Sequence, residues 1–153
     1  MTPEPPVPEW PNARFHHVGF VVASIEEKIS GFVRSLGARW DGTIFADPLQ
    51  QVRVTFLSVA ADGMLVELVE PAGEKSPVHG FLAKGGGLHH LCYEVDSLDG
   101  HLRHMRAERS TIVRKPQPAV AFGGRRIAWV YTAENLLVEF LERDRAAGQP
   151  GAP

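Results

Sequence analysis

The chain has 153 residues, of which 44% are hydrophobic, and a formal net charge of −2 at pH 7. This length and hydrophobic content suffice to bury one substantial core, or two half-domains that share one. The weakly acidic charge argues against a nucleic-acid-binding or membrane-surface protein, because both normally carry a basic surplus.

The cysteine content and the hydropathy pattern bear on the cellular compartment. Cys92 is the single cysteine of the sequence, which excludes an internal disulfide and favours a reducing environment. No apolar run approaches the roughly 18 to 20 residues needed to span a bilayer, and no leader segment is evident. The expected location is therefore the cytoplasm.

A proline-rich arm is predicted at residues 1–13, where five prolines occur. Proline at this density fixes φ and removes backbone donors, so the arm should be extended. Trp10 offers a group that could dock on the surface, but a mobile arm is the favoured interpretation. A second flexible segment is expected at the other end of the chain, at residues 144–153.

The first module, residues 14–70, is predicted to form a strand, a helix and three further strands. Residues 15–22 are β-branched and aromatic with short alternation, which is typical of a strand. Ser24 is a good N-cap for a helix with one apolar face, and Gly37 suits its C-terminal end. Three strand-like runs follow, at residues 39–45, 51–59 and 64–69.

A joint at residues 71–87 precedes a second module, residues 88–143, with the same order of elements. The joint is predicted to contain a short helix at 79–84 and to end in three glycines, whose spacing does not fit a phosphate-binding loop. The second module should begin with a strand at 88–95 and continue with a helix. Its remaining strands are predicted at residues 111–114, 126–131 and 136–141.

An internal repeat relates the two modules. The His16-His17 pair, with an apolar residue on either side, returns as His89-His90 at a spacing of 73 residues. The run at 65–70 returns at 137–142, at a spacing of 72. Because both ends of the unit recur at almost the same spacing, the sequence indicates a duplication. The repeated βαβββ order predicts an α+β fold whose two modules form one cupped, mixed β-sheet.

The repeat predicts a divalent metal site, because each module supplies a histidine pair and a carboxylate in its last strand. Glu67 and Glu139 each share a strand face with leucine or valine, where burying an unpaired carboxylate costs several kcal/mol. Binding a cation offsets that cost. Strand alternation lets only one histidine of each pair face the cup. The alternatives left open are His16 or His17, and His89 or His90.

These motifs resemble the vicinal oxygen chelate superfamily of glyoxalases, bleomycin resistance proteins and dioxygenases, and within it the methylmalonyl-CoA epimerases. The resemblance covers residues 15–143. It rests on both histidine pairs and on the runs at 66–71, 76–78 with 81–82, 123–127 and 137–139. It implies a single domain with a glyoxalase-like fold. The implied metal ligands are His17, Glu67, His90 and Glu139.

The resemblance also implies a reaction. Two imidazoles and two carboxylates leave two octahedral positions for substrate oxygens, and this mixed set suits Co²⁺, Ni²⁺, Mn²⁺ or Zn²⁺. The expected enzyme is a homodimeric epimerase or isomerase that abstracts a proton through a metal-stabilised enolate. Its expected substrate is methylmalonyl-CoA or a similar acyl thioester.

The same resemblance suggests roles for further residues. Glu139 resembles one acid/base residue of the family, and Glu67 is a second catalytic candidate. The other family acid/base is a glutamate before Glu67, where this chain has no carboxylate; Gln51 is the candidate in that region. Arg125 and Arg126 are the expected contacts of coenzyme A, since they lie in a loop that the family places near the cup.

Three rival functions remain at this point. A glyoxalase I-type lyase shares the ligand set of two histidines and two glutamates. A ring-cleaving dioxygenase needs two histidines and one carboxylate for Fe²⁺, which leaves Glu67 surplus. A metal-free resistance module that binds a small molecule belongs to another class of protein, and the retention of all four ligands argues against it.

Overall fold

A computed structural model describes residues 2–3 and 9–144, which form one eight-stranded sheet with three α-helices. The elements of this part of the chain are β1 (Arg14–Val21), α1 (Ile25–Leu36), β2 (Phe45–Asp47), β3 (Val52–Val59), β4 (Met64–Pro71), α2 (His79–Ala83), β5 (Gly87–Val95), α3 (Leu98–Ala107), β6 (Thr111–Pro118), β7 (Arg126–Tyr131) and β8 (Leu137–Glu142). A 3₁₀ turn, Val120–Phe122, precedes β7.

The strand order β2-β3-β4-β1-β5-β8-β7-β6 shows how the two modules join. Within each module the first and last strands are parallel neighbours, β1 with β4 and β5 with β8. The modules meet through the antiparallel pair of β1 and β5 at the centre of the sheet. This arrangement confirms the predicted α+β fold with a mixed sheet, and it places both histidine pairs on adjacent strands.

A serine side chain caps each of the two long helices, and Ser24 is the cap that the sequence predicted. The Ser24 hydroxyl accepts a hydrogen bond from the backbone N–H of Glu27 at 3.3 Å, and the Ser97 hydroxyl caps α3 in the same way. Gly37 ends α1 with a φ of 58°, in the left-handed region. The apolar faces of α1 and α3 each pack on the sheet of their own module.

Two strand predictions differ from the structure. Residues 39–45 do not form a strand; Arg39 makes an isolated bridge to Ser58, and β2 begins only at Phe45. The reason is a turn in which the Asp41 carboxylate accepts the N–H of Thr43 at 2.9 Å. In the second module β6 runs on to Pro118, four residues beyond its predicted end.

Trp10 of the predicted arm docks on the second module, as in the alternative named above, whereas residues 1 and 4–8 of the arm lie outside the described residues. The indole Nε1–H donates to Nε2 of His104 on α3 at 3.3 Å, and the ring packs edge-on against Tyr93 and Phe140. Trp10 therefore extends the core of the second module. The tail predicted at 144–153 lies outside the described residues apart from Asp144. None of the helices in the described part of the chain has the length and hydropathy to cross a bilayer.

Candidate metal centre

The histidine pairs lie on the two central strands, and each pair contains a β-bulge. Along the β1–β5 pairing the register skips His16 on one strand and His89 on the other, so each is an extra residue. A bulge interrupts the alternation of side chains. The strict alternation expected within each pair is therefore broken: His16 and His17 approach to 2.8 Å between their Nδ1 atoms, and His89 and His90 to 2.9 Å.

The second histidine of each pair meets the two predicted carboxylates. Nε2 of His17 lies 3.2 Å from Nε2 of His90. Oε1 of Glu67 lies 3.3 Å from the His90 nitrogen and 3.7 Å from the His17 nitrogen. Oε1 of Glu139 lies 3.7 Å from Nε2 of His17, and all four residues are buried. The structure thus brings together the four side chains that the resemblance implied as ligands.

Gly19 makes this close approach possible. It is the cross-strand partner of His90 on one side and of Glu67 on the other. A Cβ atom at this position would overlap the imidazole of His90. Sequence reasoning did not assign a role to Gly19, although a glycine inside a strand often marks a close approach of another group.

Burial controls the charge of the four side chains. It raises the pKa of Glu67 to about 8, and burial together with the nearby Glu67 carboxylate raises the pKa of Glu139 to about 7. Burial also lowers the pKa of His90. The pKa of His17 lies well below its ordinary value, because burial and the neighbouring histidines both lower it. Without a cation, the cluster therefore favours neutral carboxyls and neutral imidazoles.

These residues fit a divalent cation. Ligand atoms about 2.1 Å from one ion are roughly 3.0 to 3.4 Å apart when they are neighbours in its shell, close to the two shortest distances of the cluster. One nitrogen each of His17 and His90 and one oxygen of Glu67 all lie within 4.8 Å of one another. Oε1 of Glu139 is buried without a hydrogen-bond partner in the described part of the chain, as expected for an atom that binds an ion.

The four side chains stand beside a cavity of about 470 Å³ on the concave side of the sheet. This volume lies in the range of small-molecule sites. Glu67, His90 and Glu139 line it together with a mostly apolar wall, which includes Val54, Val69, Phe81, Ile127 and Trp129. An apolar wall with a few convergent polar groups is the usual composition of a ligand pocket.

Comparison with known proteins assigns the family. The model of the glyoxalase/bleomycin resistance protein/dioxygenase superfamily matches residues 16–129. The chain belongs to this superfamily. It is 29% identical over 136 residues to the mitochondrial methylmalonyl-CoA epimerase of Dictyostelium discoideum, covering 85% of this chain and 78% of the relative. An ethylmalonyl-CoA/methylmalonyl-CoA epimerase of Cereibacter sphaeroides is 28% identical over 120 residues, covering 77% and 87%.

A solved structure agrees with this assignment. The methylmalonyl-CoA epimerase from Mycobacterium tuberculosis matches with a TM-score of 0.74 at 26% identity, covering 88% of this chain and 91% of that chain. The glyoxalase-like fold and the resemblance to methylmalonyl-CoA epimerases are thereby confirmed. The protein is an epimerase-like enzyme of the superfamily.

Gln51, the predicted catalytic amide, does not line the cavity. Its Oε1 accepts a hydrogen bond from the backbone N–H of Lys75 at 3.0 Å, on the loop after β4. Its neighbour Gln50 is buried at the cavity wall instead, where it accepts from Arg114 at 2.9 Å and donates to Gln117 at 3.4 Å. Gln51 has a φ of 53°, in the left-handed region, so the backbone turns at this residue. The side chain of Gln50 therefore reaches the cavity, and that of Gln51 reaches the loop after β4.

The two arginines predicted to bind coenzyme A are engaged elsewhere. Arg125 pairs with Glu94 at 3.0 Å, and Arg126 pairs with Asp99 of α3 and with Glu142 at the end of β8. Neither lines the cavity, whose cationic side chains among the described residues are Lys84 and Arg114. The positive charge at the cavity therefore comes from Lys84, directly after α2, and from Arg114 on β6.

Proposed function

We propose that the protein is a metal-dependent epimerase of a 2-substituted malonyl-CoA, with methylmalonyl-CoA as the first candidate. One observation carries the proposal: two imidazoles and two carboxylates, one of each from either module, converge beside a largely apolar cavity. The relatives named above are epimerases of methylmalonyl-CoA, which supports the class of substrate. The centre would stand next to the carbon that is inverted.

The cation is held by the four residues that the resemblance implied, His17, Glu67, His90 and Glu139. Co²⁺, Ni²⁺, Mn²⁺ and Zn²⁺ all suit this donor set. When bound, the ion supplies a Lewis acid that stabilises negative charge on the thioester oxygen as the α-proton leaves. The apolar side chains of the cavity, among them Ile127 and Trp129, exclude water and so strengthen the electrostatic interactions within it.

The buried carboxylates are the proposed acid/base groups that transfer the proton. Glu139 is the first candidate, because its Oε1 has no hydrogen bond within the described residues and it lines the cavity. Glu67 is the candidate for the opposite face of the α-carbon. Asp47 also lines the cavity, but its carboxylate is occupied by three backbone N–H groups, those of Leu49, Gln50 and Val120.

The proposal also covers the binding of the coenzyme A carrier and the oligomeric state of the enzyme. Lys84 and Arg114 supply positive charge at the cavity for a phosphorylated carrier, and Arg125 and Arg126 remain the candidates that the resemblance suggested. The enzyme is proposed to act in the cytoplasm as a homodimer. Sedimentation velocity of the purified protein tests the dimer, which a single monomeric species would contradict.

A metal-free binding module is the weaker alternative. Its cavity would have the same apolar wall, but Oε1 of Glu139 would stay buried without a partner. An unsatisfied buried polar atom costs about 1 to 3 kcal/mol. A cation removes that cost and also offsets the burial of Glu67, so the enzymatic interpretation accounts for more of the structure.

Hydrogen exchange at the α-carbon tests the proposal. The protein is incubated with methylmalonyl-CoA in D₂O, and deuterium in the thioester is followed by mass spectrometry. We expect exchange well above the spontaneous rate, its loss after treatment with a chelator, and its return on addition of Co²⁺. Glutathione hemithioacetal is assayed in parallel, since turnover of that compound without α-exchange would indicate a lyase. A folded protein with neither metal nor exchange would contradict the proposal.

A further inference from the structure

Two histidines have no part in the centre described above, yet both contact it in the same way. His16 and His89 are the extra residues of the two bulges, and each brings its Nδ1 within hydrogen-bond distance of Nδ1 on the histidine that follows. The two distances, 2.8 and 2.9 Å, agree although the pairs lie in different modules. A bulge interrupts the ladder of backbone hydrogen bonds and is usually a selected feature, and here the same contact results from both bulges.

The chemistry of the centre assigns the direction of these hydrogen bonds. A neutral imidazole has one N–H and one lone pair, so one Nδ1 of each pair must donate and the other accept. His17 and His90 turn Nε2 toward the carboxylates. A nitrogen that binds a cation carries no proton, so the proton of each of these rings is on Nδ1. Their Nδ1–H groups therefore donate, to His16 and His89.

We propose that His16 and His89 are positioning residues that fix the tautomer and ring orientation of the metal-binding histidines. Each accepts, at Nδ1, the hydrogen bond of the next residue in the chain. The inference rests on the proposed metal centre. Metal-binding histidines usually donate this second N–H to a carboxylate, a carbonyl or water. In this chain the acceptor is a second imidazole, supplied by the neighbouring residue through a bulge.

The two acceptors are themselves held by aromatic rings. The His16 ring stands edge-on to Phe122, with 5.4 Å between the ring centroids. The His89 ring stands edge-on to Phe81 at 4.8 Å and lies 6.0 Å from Trp129. Packing of this kind limits the rotation of each imidazole, so that the lone pair stays aimed at its donor.

The proposal predicts that His89 can contact the substrate and that His16 cannot. An imidazole that accepts at Nδ1 has its own proton on Nε2. His89 lines the main cavity, so its Nε2–H is available to a substrate oxygen there. His16 instead lines a smaller pocket together with Phe122 and Arg125. Loss of His89 should therefore raise KM as well as weaken metal binding, whereas loss of His16 should weaken metal binding alone.

The competing interpretation is a second ion. Nitrogens of His16 and His17 and the sulfur of Cys92 lie within 4.8 Å of one another, a spacing that could also suit a cation. No equivalent third ligand stands beside His89 and His90 in the described part of the chain, although their Nδ1 contact is nearly the same length. The equality of the two contacts favours hydrogen bonds in both modules.

Paired substitutions test the role of the two residues. In His16→Asn and His89→Asn the amide oxygen can replace Nδ1 as acceptor, whereas His16→Leu and His89→Leu remove it. Zn²⁺ affinity is measured on metal-stripped protein by competition with a chromophoric chelator. We expect the leucine variants to lose about 10- to 100-fold in affinity and the asparagine variants to retain most of it. His79→Leu, at an exposed histidine of α2, is the matched control and should bind as the wild type does.

Nitrogen-15 NMR of the Zn²⁺-loaded wild type reads the tautomers directly. We expect the proton on Nδ1 of His17 and His90 and on Nε2 of His16 and His89. Binding of Zn²⁺ with a proton on Nδ1 of His16 and His89 would overturn their role and leave the metal centre intact. Two bound ions per chain, or full affinity in the leucine variants, would overturn it as well. If the folded wild type binds no Zn²⁺, the proposed function itself fails.

Discussion

Nε2 of His17 and Nε2 of His90 lie 3.2 Å apart, although 73 positions separate them in the sequence. Two nitrogen lone pairs at this distance repel each other unless a proton or a cation lies between them. Both rings are buried, so water does not screen that repulsion. A metal ion would displace such a proton, and the buried carboxyls of Glu67 and Glu139 beside the two rings are subject to the same competition.

The stability of the metal-free protein should fall as the pH rises from 7 to 9. Burial raises the pKa of Glu67 to about 8 and that of Glu139 to about 7, so the folded state keeps protons that the unfolded chain has already released. A state that binds more protons is favoured at lower pH, and its advantage is lost as the pH rises through these values. Urea unfolding in EDTA measures the effect. With saturating Zn²⁺ the decline should be smaller, and an equal decline in both series would contradict the prediction.

Gly19→Ala should weaken metal binding more than it weakens the fold. The new methyl group would occupy the space of the His90 imidazole and displace that ring. We expect at least a tenfold loss of Zn²⁺ affinity in the competition assay, with the far-UV spectrum retained. Gly31→Ala is the control, because a Cβ there meets no other atom and the site is in α1. That variant should bind as the wild type and gain about 0.5 to 1 kcal/mol of stability.

Glu139→Gln should abolish most of the α-proton exchange without unfolding the protein. The amide removes the proposed base and one anionic ligand, and loss of a general base costs typically 10² to 10⁴ in rate. Metal-free stability at pH 8 should be unchanged or higher, since a buried carboxylate is removed. Glu142→Gln alters a carboxylate at the end of the same strand, where it pairs with Arg126, and should keep its activity. Wild-type exchange in Glu139→Gln would remove this residue from the mechanism.

Arg114→Gln should raise KM for the acyl-CoA. The Arg114 guanidinium lines the cavity and has a single hydrogen bond among the described residues, to Gln50, so it is available to an anionic substrate group. Loss of a hydrogen bond to a charged group costs about 1.5 to 3 kcal/mol, which corresponds to at least a tenfold rise. Arg126→Gln is compared with it, because Arg126 is occupied by two ion pairs. A larger rise in Arg126→Gln would support the original assignment of that residue to coenzyme A.

The sequence was sufficient to predict the strands that carry the site. The apolar alternation around Glu67 and Glu139 and the repeated spacing between the modules are local and periodic signals, and both carboxylates lie where these signals put them. The helix caps at Ser24 and Ser97 were predictable for the same reason, because a cap depends on the few residues that follow it.

Features that depend on the partner strand were not predictable. The bulges at His16 and His89 exist only in the pairing of β1 with β5, so alternation along one strand could not show that the two histidines of a pair contact each other. Nothing in the sequence separates Gln51 from Gln50, because the positive φ of Gln51 is a property of the folded turn. Trp10 docks on a surface that forms only when α3 packs on the sheet. Each of these features depends on contacts between parts of the chain that are distant in the sequence.

The division of the ligands between the modules has a mechanical consequence. His17 and Glu67 come from one half of the chain, and His90 and Glu139 come from the other, so neither half alone can complete the coordination of an ion. An ion bound at this position would therefore hold the two halves together through its coordination bonds. Proteolytic cutting in the connecting segment, residues 71–87, should then leave two fragments that copurify in the presence of the ion and come apart more readily once it is removed.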